Sequence, residues 1–178
     1  MLIESHRITD AKFIPSENFD NRPDDEVSLL VIHGISLPRG QYGGNEVIEL
    51  FCNELDCSAP GLEDLEGVRV SSHLFVRRTG ELIQFVPFDK RAWHAGQSMY
   101  AGRERCNDFA VGIELEGVDD GFYEQAQYDC LIAACQAIVG AYPITDIVGH
   151  SDIAPGRKQD PGTGFDWQQL REHVVMSR

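Results

Sequence analysis

A chain of 178 residues, of which 42% are apolar and 25% charged, has the composition of one globular domain, and we expect a single domain over residues 1–178. Its formal charge of −14 argues against general attraction to nucleic acid phosphates or anionic membrane surfaces, because like charges repel. The N-terminus has no secretory signal pattern, and no stretch is apolar enough to span a membrane, so we expect the protein to stay where it is made.

The first half of the chain contains three segments with the pattern of buried strands. Residues 27–32, VSLLVI, form a continuous apolar run that predicts a strand delivering His33 at its C-terminal end. Residues 69–76 and 81–86 flank the turn sequence RTG, whose Gly80 is suited to positive φ. These two segments predict an antiparallel hairpin.

The segment AVGIELEG predicts a strand with two different faces. Val111, Ile113 and Leu115 alternate with Glu114 and Glu116, so the apolar side chains share one face and both carboxylates share the other. Glu114 is therefore expected to point away from the apolar layer.

Helical patterns complete an α/β fold. Apolar residues recur at steps of three and four over residues 128–142, which predicts an amphipathic helix, and a shorter helix is expected over residues 46–55. A last helix is predicted to begin after Asp166 as its N-cap. A brief strand at residues 144–149 leads His150 into a loop rich in Pro and Gly.

The cysteines do not indicate a functional site. There are five, an odd number without a CxxC pair, which favours neither a disulfide framework nor a thiolate zinc site. We expect reduced thiols, as in a cytoplasmic protein.

Histidine and aspartate residues suggest a metal site. A catalytic zinc needs three protein ligands and one open position, and imidazole and carboxylate donors at His33, His150 and Asp160 can supply such a set. The residues alone leave the set open, because an isolated histidine more often packs or donates a hydrogen bond. His73 and His94 are competing metal ligands.

Four segments in order, LLVIHGISLP, VSSHLFVRRTGELIQFVPFDKRAWHAG, GRERCNDFAVGIELEG and GHSDIAPGRKQDPG, resemble the N-acetylmuramoyl-L-alanine amidases of the AmpD type. These are cytoplasmic anhydromuropeptide amidases related to peptidoglycan recognition proteins. The resemblance extends over nearly the whole chain, and it implies a central mixed β-sheet flanked by helices.

The resemblance also implies roles for five residues. His33, His150 and Asp160 match the zinc ligands of the family, and Glu114 and Lys158 match its catalytic partners. Such a glutamate can take a proton from water and return it to the leaving amine, while an ammonium group can stabilise the developing oxyanion. Alternation alone does not separate Glu114 from Glu116.

The implied substrate is an anhydromuropeptide, cleaved between the lactyl group of anhydro-N-acetylmuramic acid and L-alanine for peptidoglycan recycling. Its stem carboxylates need local cations in so acidic a protein. The candidates are Arg69, Arg103, Arg105 and Lys158, and among the arginines we favour Arg69 and Arg105. Gly34 departs from the family, which usually has Asn after the first ligand; if that Asn contacts the substrate, we expect a different affinity or specificity here with an intact metal site.

Two other functions fit the same fold. One is an amidase acting on polymeric peptidoglycan, against which the missing export signal argues. The other is a muropeptide-binding module without activity, which typically lacks a zinc ligand that is present here. No oligomeric state follows from the sequence.

Overall fold

The computed structural model describes residues 1–175, so the last three residues of the predicted domain lie outside the described part of the chain. The strands are β1 (Ile3–Glu4), β2 (Arg7–Ile8), β3 (Lys12–Phe13), β4 (Phe19–Asn21), β5 (Leu29–Ile35), β6 (Leu74–Val76), β7 (Leu82–Gln84), β8 (Lys90–Ala92), β9 (Met99–Tyr100), β10 (Arg103–Glu104), β11 (Ala110–Glu116) and β12 (Asp146–Gly149). The helices are α1 (Glu46–Phe51), α2 (Gln125–Ala141), α3 (His150–Ile153) and α4 (Trp167–His173), with 3-10 turns at Glu63–Leu65 and Cys106–Asp108.

A six-stranded mixed sheet forms the centre of the molecule, in the order β12-β5-β11-β6-β7-β3. The four strands β12, β5, β11 and β6 are all parallel to one another. β7 is antiparallel to β6, and β3 is parallel to β7. The pairs β1–β2, β4–β8 and β9–β10 are small antiparallel ribbons outside this sheet. The predicted α/β class with a central mixed sheet is confirmed.

Helices cover both faces of the sheet, which explains why its central strands are buried throughout. On one face Leu131 of α2 and Leu170 of α4 pack into one apolar cluster with Ile32 and Ile113. On the other face Phe51 of α1 packs with residues of β6 and β7. With both faces removed from water, even the polar face of β11 is buried, so its carboxylates need specific partners.

The structure corrects several predicted boundaries. β5 extends to Ile35, so His33 lies within the strand, because β11 continues to pair with β5 as far as Glu116. The predicted hairpin is confirmed, with Gly80 at φ 84°, but β6 begins only at Leu74. The backbone N–H of Ser71 donates to Trp93 instead of joining the ladder.

The helix predictions are confirmed with altered ends. α2 begins three residues early because the Gln127 side chain accepts a hydrogen bond from the N–H of Glu124. α4 has the predicted cap, in which Asp166 accepts from the N–H of Gln169. The prediction of a loop directly after β12 is wrong, since His150 begins the one-turn helix α3. Within residues 1–175 no helix is long and apolar enough to cross a membrane.

Candidate metal centre and active site

Three neighbouring strands bring the central residues of the site together. In the parallel register of β5 and β11, Glu114 lies directly opposite His33. Gly149 of β12 lies opposite Ile32, so the next residue, His150, emerges beside His33. Asp160 reaches the same point from the segment after α3, where its carboxylate is 3.0 Å from the His150 ring. The three predicted ligands therefore meet at one edge of the sheet.

The donor atoms of these three side chains have the spacing of a zinc site. The Nδ1 atoms of His33 and His150 are 2.9 Å apart, and Oδ2 of Asp160 lies 3.4 Å and 3.0 Å from them. Tetrahedral zinc with bonds of about 2.0–2.1 Å separates its ligand atoms by about 3.3 Å. Among the described residues this is the one group of three or more His, Cys, Asp or Glu side chains placed to hold a metal ion.

Contacts behind the two histidines orient their free nitrogens toward this point. His150 Nε2 lies 3.2 Å from the carbonyl of Ala95, to which it can only donate, so Nδ1 keeps its lone pair. His33 Nε2 lies 3.0 Å from Nδ1 of His94. Nδ1 of His150, Nδ1 of His33 and the Asp160 carboxylate oxygen thus converge on one point, where a cation can be held.

The charges of the ligands also suit a metal. Burial lowers the pKa of the His33 imidazole to about 4, which keeps it neutral at pH 7 as metal binding requires. Burial by itself would raise the pKa of the Asp160 carboxyl, but its contacts with the His150 and His33 rings outweigh burial and lower the pKa well below its usual value. The group therefore offers a neutral imidazole at His33 and a carboxylate at Asp160.

The competing histidines have other partners. His73 is buried, with Nδ1 accepting from the N–H of Gly112 and Nε2 within 3.0 Å of the Lys90 carbonyl, so both ring nitrogens are engaged. His94 packs edge-on against the His33 ring, with ring centroids 5.0 Å apart. Neither belongs to the metal-binding group.

The two glutamates of β11 have different surroundings. Oε1 of Glu114 is 3.8 Å from His33 Nδ1, and its Oε2 has no hydrogen-bond partner in the part of the chain that the structure describes. Burial raises the pKa of the Glu114 carboxyl well above its usual value, and the charge of Asp160 raises it further. Glu116 instead accepts from the N–H groups of Gly43 and Arg78, at 2.6 Å and 2.9 Å. Only Glu114 faces the metal ligands with a free oxygen.

One cavity of about 240 Å³, which we call the metal cavity, is lined by Glu114, His150, Lys158 and Asp160. A second cavity of about 440 Å³ adjoins it, sharing Gly34 and Lys158. Lys158 is exposed and thus borders both spaces, in a position to reach a bound substrate.

The predicted carboxylate-binding arginines lie outside the metal cavity. Arg69 is exposed beside a small cavity of about 100 Å³ that shares Leu50 and Val68 with the metal cavity. Arg105 lines a different cavity, of about 390 Å³, together with Arg157. Arg103 forms two hydrogen bonds to Glu26, both 2.8 Å long, and is therefore already paired.

Arg157 was missed by sequence reasoning, although it directly precedes Lys158. It lines both the cavity next to the metal cavity and the cavity that contains Arg105. The segment GRKQD offered a signal, since it places two cations just before a proposed ligand.

The space beside Gly34 is occupied by Tyr123. A Cβ at position 34 would overlap the Tyr123 hydroxyl, whereas the ring carbon Cζ would be 3.6 Å away. That hydroxyl donates to the carbonyl of Pro161, 2.9 Å away, next to the ligand Asp160. The residue that departs from the family pattern thus borders a contact that supports the metal site.

A group of two histidines and one aspartate beside a free carboxylate oxygen is an arrangement typical of metal-dependent hydrolases. Comparison with known proteins shows the family. The model of the N-acetylmuramoyl-L-alanine amidase family matches residues 23–163, so the chain belongs to this family. It is 51% identical to the 1,6-anhydro-N-acetylmuramyl-L-alanine amidase AmpD of Enterobacter cloacae, over 99% of this chain and 97% of that protein. It is also 51% identical to AmpD of Escherichia coli (strain K12), over 100% of this chain and 98% of that protein.

Solved structures agree with this membership. A crystal structure of a Se-Met AmpD derivative superposes with a TM-score of 0.96 at 49% identity, covering 98% of this chain and 100% of the other. The amidase AmiD from E. coli, solved with the substrate anhydro-N-acetylmuramic acid-L-Ala-D-gamma-Glu-L-Lys, superposes with a TM-score of 0.62 at 33% identity. That match covers 85% of this chain and 58% of AmiD.

Proposed function

We propose that this protein is a zinc-dependent amidase that cleaves the bond between anhydro-N-acetylmuramic acid and L-alanine in muropeptides, for peptidoglycan recycling. The observation that carries the proposal is the triangle of donor atoms from His33, His150 and Asp160 beside the free carboxylate oxygen of Glu114. The relatives of about 51% identity over their full length, which are named as amidases of this specificity, support the substrate.

His33, His150 and Asp160 would hold the metal. Zinc bound by two neutral imidazoles and one carboxylate keeps a net positive charge, which lowers the pKa of a water molecule toward about 7 and polarises an amide carbonyl.

In this proposal Glu114 accepts the proton of the attacking water and returns it to the departing nitrogen of L-alanine. Its buried position and raised pKa suit both steps, because the carboxylate is a stronger base than one in water. Lys158, which lines the same cavity, places its ammonium near the developing oxyanion.

Two other functions remain as outcomes of the test. A binding module without activity disagrees with the complete set of ligand and catalytic side chains around one cavity. An amidase acting on polymeric peptidoglycan would share the whole site. A cytoplasmic location is a prediction from the family resemblance, which cell fractionation would test.

The deciding experiment is mass spectrometry of two digests, one of an anhydromuropeptide and one of intact sacculi. We expect about one zinc per chain, release of stem peptide from the anhydromuropeptide, loss of release in chelator and recovery with zinc. Efficient release from sacculi would favour the polymer-directed amidase. No release from either substrate by the zinc-loaded protein would favour the binding module.

A further inference from the structure

Arg157 carries a charge that the protein itself does not neutralise. Its Nη2 donates to the carbonyls of Ala95 and Gln97, at 2.7 Å and 2.6 Å. Its Nε and Nη1 atoms have no hydrogen bond within residues 1–175, and no carboxylate there lies within salt-bridge distance of them.

The two carbonyl contacts fix the guanidinium in advance. An arginine on the surface normally loses side-chain freedom when it binds a ligand, and that loss weakens binding. Because Nη2 is already held, less freedom remains to be lost, and the other edge of the guanidinium stays free for a ligand. A planar fork of this kind matches a carboxylate.

The free charge faces a cavity of suitable chemistry. Arg157 and Arg105 line the same cavity of about 390 Å³, which we call the Arg157 cavity, with Ile153 and Pro155 as apolar wall and Glu104 as its acidic residue. Arg105 has only a 3.4 Å contact to Asp108. The cavity therefore offers two available cations beside an apolar surface.

The loops that carry these arginines are joined to each other. The N–H of Arg105 donates to the carbonyl of Ser98, and the N–H of Cys106 donates to the Ser98 hydroxyl. Gln97, whose carbonyl holds Arg157, is the preceding residue. Hydrogen bonds therefore join the backbone segments that carry the two arginines.

The Arg157 cavity is also connected to the metal site. The Ala95 carbonyl that receives Nη2 of Arg157 lies 3.2 Å from Nε2 of His150. Arg157 also lines the 440 Å³ cavity, which shares Lys158 with the metal cavity. A substrate extending from the metal along this path passes Arg157.

We infer that Arg157, together with Arg105 of the same cavity, binds a carboxylate of the stem peptide in the Arg157 cavity, and that the protein selects stems by this charge. The inference rests on the proposed function for its substrate. It adds Arg157 to the predicted carboxylate-binding residues Arg69 and Arg105.

The test compares an anhydromuramyl tripeptide, L-Ala-γ-D-Glu-L-Lys, having both carboxyls free with analogues in which each carboxyl is amidated in turn. We expect one of the amides to reduce kcat/KM of the wild type by about tenfold to a hundredfold, since a charge-assisted pair is lost. Arg157→Met should lower kcat/KM for the free acid by a similar factor, mainly through KM, and leave that amide almost unchanged. Arg103→Met, which removes an equal charge outside the cavity, should keep the wild-type preference.

Calorimetric binding of the free and amidated stem peptides to the zinc-loaded protein separates this inference from the proposed function. Acid-selective binding that Arg157→Met abolishes supports the inference even if no turnover occurs. Equal losses on acid and amide would show a purely structural role and overturn it, as would a wild type without acid preference. If Arg157→Met does not fold or hold zinc, Arg157→Gln is used, which removes the charge but keeps a polar side chain, and an unchanged preference in that variant also overturns the inference.

Discussion

The two carboxylates of β11 should respond to substitution in opposite ways. Glu114→Gln keeps the size of the side chain but removes the proton acceptor beside the metal ligands. General-base catalysis typically contributes about 10²–10⁴ to the rate, so kcat should fall by that factor, which corresponds to about 3–5 kcal/mol in the barrier. The free energy of unfolding should not fall, because the variant removes a buried carboxylate with an unpartnered oxygen.

Glu116→Gln should instead affect stability. Glu116 accepts from the N–H groups of Gly43 and Arg78, and the amide group of glutamine cannot accept both of these bonds. One unsatisfied buried donor costs about 1–3 kcal/mol. For a chain of this size about 1 kcal/mol lowers Tm by about 2–4 °C, so a decrease of several degrees is expected, with kcat changed less than tenfold.

The assays are turnover of the anhydromuropeptide, zinc content by atomic absorption, and thermal unfolding, each for both variants. Zinc content should remain near one per chain in Glu114→Gln, since this residue lies outside the donor triangle. Loss of turnover in Glu116→Gln with normal turnover in Glu114→Gln would refute the assignment. So would loss of zinc from Glu114→Gln, which would make this residue a ligand.

Three further predictions follow from the same geometry. Asp160→Asn should keep the fold but weaken zinc binding at least about tenfold in competition with a chelator, and unchanged affinity would exclude it as a ligand. Gly34→Ala should destabilise the protein by about 1–3 kcal/mol, because the new Cβ overlaps the Tyr123 hydroxyl. In the Tyr123→Phe background the same substitution should cost much less. Thermal unfolding of the wild type, both single variants and the double variant measures this, and additive effects would contradict it. Burial lowers the pKa of His73 to about 3. Below about pH 6.5 the unfolded state therefore binds a proton that the folded state does not bind. The free energy of unfolding should fall by up to about 1.4 kcal/mol per pH unit as the pH decreases from 6.5 to 3. Urea unfolding in chelator should show a smaller slope for His73→Gln, and equal slopes would count against it.

Long periodic segments of the sequence predicted the fold well. The alternation in β11, the amphipathic pattern of α2 and the Asp166 cap of α4 each reflect contacts made within or directly beside one element. The ribbons β1–β2, β4–β8 and β9–β10 were not predicted, because strands of two or three residues are too short to show a period. α3 was missed for the same reason, being one turn between a glycine and a proline-rich segment.

The sequence predicted which residues form the site better than it predicted how their side chains are arranged. The resemblance suggested its five central residues; in the structure Glu114, His150, Lys158 and Asp160 line one cavity, and His33 joins His150 and Asp160 in the metal-binding group. The sequence could not distinguish the role of Glu114 from that of Glu116, because Glu116 is held by backbone N–H groups of two loops that are distant in sequence. The position of Arg157 depends likewise on the carbonyls of residues 95 and 97.

The parallel register of β12, β5 and β11 links the metal site to the buried strands of the central sheet. His33 and Glu114 cannot separate without breaking the ladder between the two longest strands of the sheet, and a slip of one residue would turn both side chains to the opposite face. Local fraying is therefore a poor route to losing the site. Hydrogen exchange at the central amides of β5 and β11 should therefore be slow, both with a bound ion and after a chelator has removed it.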